Sequence, residues 1–165
     1  MCPAAQRGRN AACRPSAILS FREHPPGVLD RRRLGKQRVE TLQVLRGLTV
    51  AGHGWRHHPA VAMWRGYEEA LVRYGLDMCA AWTALGFADT VAASLRADLT
   101  ASRAVRRVRT QPVLARAGEL PPWLGTPAFH LSHRSALVRK DPDHYAPLFP
   151  GVPGDLPYVW PESDR

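Results

Sequence analysis

The stretch AVAMWRGYEEALVRYGLDMCAAWTAL, residues 60–85, carries the strongest periodicity in the chain and decides its fold class. Pro59 suits the first turn of a helix over this stretch, and Gly86 suits its end. The pattern therefore predicts one long amphipathic helix. Its large apolar side chains recur at steps of three and four residues, at Met63, Trp64, Tyr67, Leu71, Tyr74, Met78, Trp82 and Leu85.

Other segments also have helical patterns, and no alternation persists long enough to build a sheet. Asp30 can cap a helix over residues 30–48, residues 88–108 can carry another, and Thr126 fits the cap of a helix that reaches about Lys140. The proline-rich end predicts an extended tail laid over the helices and pinned by Tyr145, Phe149, Tyr158 and Trp160. We therefore expect an all-α fold, a compact single-domain helical bundle with an extended C-terminal tail rich in proline and aromatic residues.

The length and composition fit one packed domain. The chain has 165 residues, of which 45% are hydrophobic, too many for an intrinsically disordered protein. Residues 1–17 lack periodicity and predict a flexible basic arm, followed by a single helical domain over residues 18–165. No apolar run approaches the length of a membrane span or signal segment, so we expect a soluble, cytoplasmic protein that does not span a membrane.

The charge is concentrated in the first part of the chain. Lys and Arg number 23 against 14 Asp and Glu, a net charge of +9. Residues 1–60 hold 11 of these cations and only 3 carboxylates, whereas the remainder is nearly balanced. A local positive field of this kind favours polyanions, so nucleic acid or an anionic membrane surface leads the expected partners.

The helix predicted over residues 30–48 places one carboxylate inside a cationic cluster. Glu40 shares a helix face with Arg33 and Lys36 and lies near Arg32 and Arg38 in the sequence. Glu40 and Lys36 can form an ordinary i,i+4 ion pair, or the carboxylate can stabilise a cationic transition state or move protons beside bound DNA. For Arg38, flanked by Leu34 and Leu42, the alternatives are a packed stem with an outward head and a rigid phosphate contact.

The segment HGWRHHP, residues 53–59, brings three imidazoles, an indole and a guanidinium into one turn. Phosphate contacts by Arg56 and His58 fit its basic context, with Trp55 either packed in the core or stacked on a base. A metal site through His53, His57 or His58 is a weaker alternative, since no further ligand stands at a diagnostic spacing.

Three strings resemble a known family. LDRRRLGKQRVETLQVL (residues 29–45), GWRHHPAVAMWRGYE (54–68) and SHRSALVRKDPDHY (132–145) are similar to the bacterial branch of the pyrimidine-dimer DNA glycosylase family, which includes the phage endonuclease V type of repair enzyme. The resemblance covers about residues 18–160. It implies a compact all-α enzyme that needs no metal or nucleotide cofactor, with double-stranded DNA bearing ultraviolet photoproducts as its partner and no obligate protein partner.

The resemblance also implies a mechanism. An amine attacks the sugar C1′, the glycosidic bond is released through an imine, and β-elimination then cleaves the strand, so the protein is expected to be a DNA glycosylase with AP-lyase activity. Glu40 is matched to the assisting carboxylate, although Val39 separates it from Arg38 where the phage motif has Arg and Glu adjacent. Arg33, Lys36 and Arg38 are matched to its DNA-contacting neighbours, and Arg32 of the same cationic cluster is a further candidate for DNA binding.

The N-terminal extension leaves the identity of the nucleophilic amine open. The family's nucleophile is an N-terminal α-amine, and family chains begin near Ala17, which leaves several alternatives: a later start, Cys2 folding back after removal of Met1, the use of Lys36, or no lyase activity. A non-catalytic nucleic-acid-binding protein on the same helical scaffold is therefore the alternative function.

Overall fold

The computed structural model describes residues 28–165, so the predicted basic arm lies outside the described part. Within that part the chain forms helices and no strand, which confirms the all-α prediction. None of these helices is both long and apolar enough to cross a lipid bilayer. In chain order they are α1 (Arg31–Thr49), α2 (Pro59–Ala62), α3 (Glu68–Ala84), α4 (Val91–Arg103), α5 (Gln111–Arg116), a 3₁₀ turn (Pro122–Gly125), α6 (Pro127–Lys140) and α7 (Pro142–Tyr145).

Helix α1 begins where the sequence predicts. The Asp30 carboxylate accepts a hydrogen bond from the Arg33 backbone N–H at 3.1 Å, and thereby satisfies one of the unpaired donors of the first turn. The same carboxylate accepts the Tyr145 hydroxyl at 2.5 Å, across 115 residues of sequence. Asp30 therefore starts α1 and also holds α7 against it.

Helices α1, α3 and α4 form the centre of the bundle. Gly35, near the start of α1, lies against Trp82 near the end of α3, so these two helices run antiparallel. All three helices meet at Gly75, where an added Cβ would lie 2.6 Å from Thr41 of α1 and 2.7 Å from Leu95 of α4. The absence of a side chain at Gly75 permits this close approach.

The long helix predicted over residues 60–85 is broken into α2 and α3. Gly66 adopts a φ of 79°, a left-handed conformation that glycine reaches without steric cost and that ends a right-handed helix. The Gly66 backbone N–H donates to the Glu68 side chain at 3.2 Å, which stabilises the turn before α3. The apolar positions Met63, Trp64 and Tyr67 are nevertheless buried, because the turn keeps them facing the core.

The C-terminal part of the chain packs through aromatic contacts. Trp123 donates its Nε1–H to the Met63 carbonyl at 2.9 Å and lies edge-on to Trp64, with ring centroids 4.8 Å apart. Phe129 of α6 packs against Trp123, also at 4.8 Å. These contacts hold α6 against the connection between α2 and α3.

The residues after α7 lie along α6. The hydroxyl of Ser132 accepts from the Val159 backbone N–H at 3.1 Å, and that of Ser135 accepts from Leu156 at 3.0 Å. Arg165 ends the chain between the Glu119 carboxylate, at 2.6 Å, and the ring of Tyr67.

His133 lies fully buried under this last segment, among the rings of Phe129, Tyr158 and Trp160. Its Nδ1 is 2.9 Å from the Phe129 carbonyl, which can only accept, so Nδ1 carries the hydrogen. Burial lowers the pKa of His133 to about 4, and the nearby positive charge of Lys140 acts in the same direction.

We predict that Gly75→Ala destabilises the protein, although alanine is the better helix former. Overpacking a close contact costs about 1–3 kcal/mol, against a propensity gain of about 1 kcal/mol. Chemical denaturation measures the free energy of unfolding. Ala80→Gly, on the exposed side of α3, is the control that reports propensity alone. A Gly75→Ala protein more stable than wild type would contradict the close approach of the three helices.

We also predict that His133 makes the protein sensitive to acid. The folded pKa is lower than the ordinary value of 6.5, so the unfolded chain binds a proton first. The contribution to stability is complete above pH 6.5 and falls as the pH drops towards about 4, by roughly 3 kcal/mol. The stability difference between wild type and His133→Gln should shrink over this range. An unchanged difference, or equal shrinkage with the exposed control His144→Gln, would refute this role.

Candidate functional site

Glu40 lies at the centre of the candidate site. Helical spacing places it on the same face of α1 as Arg33, Lys36 and Gln37. The residue is only 4% exposed, and its Oε1 is 3.3 Å from the Lys36 Nζ. The sequence-predicted pairing of Glu40 with Lys36 is thus present in a setting that shields the carboxylate from water.

A second amine, that of Lys140 at the end of α6, interacts electrostatically with this carboxylate. Lys140 is the last residue of α6, and the Asp141 carboxylate that follows it is 3.3 Å from Arg33 Nη1 of α1. Lys140 is exposed at the surface, yet the surrounding protein keeps water from its amine. This desolvation, reinforced by the positive charge of Lys36 and opposed by Glu40, lowers the pKa of Lys140 to about 8.

Arg33 of α1 connects this helix to the residues after α6, because its guanidinium binds both Asp30 and Asp141. Its Nη1 is 2.6 Å from Asp30, and its guanidinium lies over the Tyr145 ring at 5.3 Å. Burial opposes ionisation of Asp30, but the hydrogen bonds from Tyr145 and Arg33 outweigh it and lower the pKa of Asp30 to about 2. The predicted contact of Arg33 with DNA stays a prediction, since its guanidinium already binds two carboxylates.

Arg38 points to the other side of α1, away from Glu40. Its guanidinium forms an ion pair with Asp89 and lies over the Trp82 ring at 4.6 Å. The Asp89 side chain is 3% exposed, and Cys79 is buried beside it. Burial, with the Asp89 charge next, raises the pKa of Cys79 to about 12. A phosphate contact by Arg38 also stays a prediction.

Among the residues predicted from the sequence to contact DNA, Arg32 and Arg56 are the exposed ones. Arg32 stands in the first turn of α1, and Arg56 in the turn before α2, and both have open surface. Their side chains therefore have the access that a phosphate contact requires. Of these two arginines, Arg32 is the nearer in sequence to Lys36 and Glu40.

The histidine turn has a structural role in this protein. His58 Nδ1 accepts the Ala60 backbone N–H at 3.1 Å and caps α2, and its ring stacks on Trp55 at 5.2 Å and meets Trp160 edge-on. Burial lowers the pKa of His58. Across residues 28–165 no group of three or more His, Cys, Asp and Glu side chains converges as a metal site. A DNA contact by His58 stays a prediction.

Sequence reasoning missed Lys140 and Gln37 as site residues. Gln37 is fully buried on the Glu40 face, and neither its Oε1 nor its Nε2 has a hydrogen-bond partner in the described part of the chain. Its position one helical turn before Glu40 was available as a signal. Lys140 lies 100 residues from Glu40, and only the string SHRSALVRKDPDHY, which carries the resemblance, pointed to its neighbourhood.

Over residues 28–165 the fold is helical, and the site consists of a shielded carboxylate paired with Lys36 on a basic helix. Residues 19–95 match the family model for pyrimidine dimer DNA glycosylase, which supports the resemblance of the first two strings to that family. The match contains α1 with Glu40 and the turn with Arg56 and His58. No curated protein matches the chain, and no solved structure does.

We predict that Arg32→Ala weakens binding to duplex DNA and flattens its salt dependence. One lost phosphate contact reduces the slope of log K against log salt by about 0.9. Fluorescence anisotropy over a salt series measures this slope. Arg116→Ala, which removes an exposed cation from α5, is the control and should leave the slope unchanged. Equal slopes for wild type and Arg32→Ala would show that the start of α1 does not contact the DNA phosphates.

Proposed function

We propose that the protein is a DNA-repair glycosylase with AP-lyase activity on duplex DNA that contains pyrimidine dimers. The observation that carries this proposal is Glu40, 4% exposed and 3.3 Å from Lys36, on a basic helix within the family match. In this proposal residues 18–165 act as one catalytic domain without an obligate protein partner, and the nucleophile is an amine.

The proposed chemistry explains why a shielded carboxylate is useful. A neutral amine attacks C1′, the glycosidic bond breaks with its electron pair passing to the base, and the open sugar forms a protonated imine. Positive charge thus develops near C1′. The Glu40 carboxylate stabilises that charge more strongly where little water screens it.

The same intermediate leads to strand cleavage. The protonated imine acidifies the hydrogen at C2′, and a base removes this proton while the C3′–O bond breaks and its electron pair leaves with the phosphate. Glu40 is suited to accept protons during these steps because it is held beside the reacting carbon. A carboxamide at position 40 keeps the shape but has neither the charge nor the proton-accepting oxygen.

The proposed DNA interface includes the exposed cations Arg32 and Arg56. Arg32 and Arg56 contact phosphates directly, and Lys36 and His58 lie between them and the reacting sugar. Arg33 and Arg38 contribute to the positive field and, through their carboxylate partners, to the position of α1. This arrangement uses phosphate contacts for position and leaves the chemistry to Glu40 and an amine.

We predict that Glu40→Gln abolishes cleavage of a duplex oligonucleotide with one defined pyrimidine dimer and retains DNA binding. Gel electrophoresis measures the cleavage, and borohydride reduction traps the imine as a covalent adduct. Glu68→Gln is the matched control. Like Glu40, Glu68 is a buried helical carboxylate paired with one cation, in this case Arg103, but it lies outside the site. It should retain both cleavage and the adduct.

Three results would count against the proposal. Full activity of Glu40→Gln would remove Glu40 from the chemistry. Cleavage of a duplex with a pre-formed abasic site, without action on the dimer, would leave a lyase that is not a glycosylase. DNA binding by the wild type without cleavage or adduct on either substrate would favour the non-catalytic DNA-binding alternative.

A further inference from the structure

Two ion pairs fix the direction in which α4 runs beside α1. Arg38 binds Asp89, just before α4, and Arg46, eight residues further along α1, binds Asp98 at 2.8 Å. The two helices therefore run parallel, whereas α3 is antiparallel to α1. The end of α1, the start of α3 and the end of α4 consequently lie at the same end of the bundle.

The two connections at this end of the bundle contain cations and no carboxylate. Residues 50–67 join α1 to α3, and residues 104–110, which we call the basic loop, join α4 to α5. Both segments contain arginines, and neither contains an aspartate or a glutamate. Arg56 of the proposed DNA interface belongs to the first of them. A concentration of cations of this kind favours a polyanion.

The basic loop is held in place by the helices around it. The Thr100 hydroxyl donates to the Val105 carbonyl at 2.8 Å, and Val105 and Val108 pack half-buried against the core. At the far side of the loop, Glu69 of α3 accepts the Arg109 backbone N–H at 2.8 Å and its guanidinium at 2.6 Å. The loop thus has a defined shape without a ligand, which reduces the entropy lost on binding one.

Arg106 and Arg107 lie exposed between these anchors. Arg103 and Arg109, on either side, are each bound by a carboxylate of α3. Within residues 28–165, Arg106 and Arg107 form no ion pair. An exposed guanidinium of this kind can bind a phosphate without first giving up a carboxylate.

We propose that the basic loop is a second phosphate-binding surface, which contacts duplex DNA beside the lesion through Arg106 and Arg107. This inference rests on the proposed function, because it extends the same duplex past Arg56 and the end of α1. Glu40 lies nine residues before the end of α1. Those residues span about 14 Å, so the contact lies about four base pairs or more from the reacting sugar, on one side of it.

The first test is the salt dependence of duplex binding by the double variant Arg106→Ala/Arg107→Ala. Loss of two phosphate contacts should reduce the slope of log K against log salt by about 1.8. Arg96→Ala/Arg116→Ala is the matched control, because it removes the same charge from exposed positions of α4 and α5. It should keep the wild-type slope. An unchanged slope for the loop variant, or an equal reduction in both double variants, would overturn the proposal.

The second test locates the contact along the DNA. Three duplexes of equal length carry one pyrimidine dimer, either at the centre or about four base pairs from one end or the other. Wild type and control should bind one of the two end-placed dimers several-fold more weakly than the central dimer. That placement should cost the loop variant less affinity than it costs wild type, because the variant has fewer contacts there to lose. An equal cost for both proteins would overturn the flanking position.

Other outcomes separate this inference from the proposed function. Cleavage of the dimer duplex by wild type, with no effect of the loop variant on salt slope or dimer placement, would overturn the basic loop alone. Binding to anionic phospholipid vesicles that depends on Arg106 and Arg107, with an unchanged duplex slope, would assign the loop to a membrane surface instead. Absence of duplex binding by wild type would overturn this inference together with the proposed function.

Discussion

The carboxylate of Asp30 is the constraint on which the rest of the structure depends. It caps α1, binds Arg33 and accepts the hydroxyl of the fully buried Tyr145, and Arg33 in turn reaches Asp141. These contacts join the start of α1 to the residues that follow α6. The Asp30 side chain thus both caps a helix locally and joins segments that are distant in the sequence.

The elements that local chemistry determines were predictable from the sequence. Asp30 before α1 and Pro127 at the start of α6 gave correct helix starts, because caps and first-turn prolines act over a few residues. The prediction of one continuous helix over residues 60–85 was wrong. The turn between α2 and α3 keeps the same apolar face towards the core, so the apolar periodicity continues although the helix does not. Gly66 was the signal for that turn, and its positive φ shows why.

In the candidate site too, local contacts were predictable from the sequence and long-range contacts were not. Helical spacing sufficed to place Glu40 with Lys36, and the structure gives them the predicted separation. The partner of Arg38 was beyond sequence reasoning, because Asp89 approaches it from the start of α4, 51 residues away. Lys140 was missed for the same reason: its charge matters only once α6 has packed against α1. Long-range pairing follows from tertiary packing, which no local pattern encodes.

The buried pair of Asp89 and Cys79 has a practical consequence for experiments. A thiol with a pKa of about 12, enclosed by α3 and α4, presents almost no thiolate at neutral pH and is closed to alkylating reagents. The chain's other cysteines, Cys2 and Cys13, lie outside the residues that the structure describes. Cys79 therefore need not be replaced before a maleimide dye or spin label is attached to a cysteine introduced at an exposed position of the helical part.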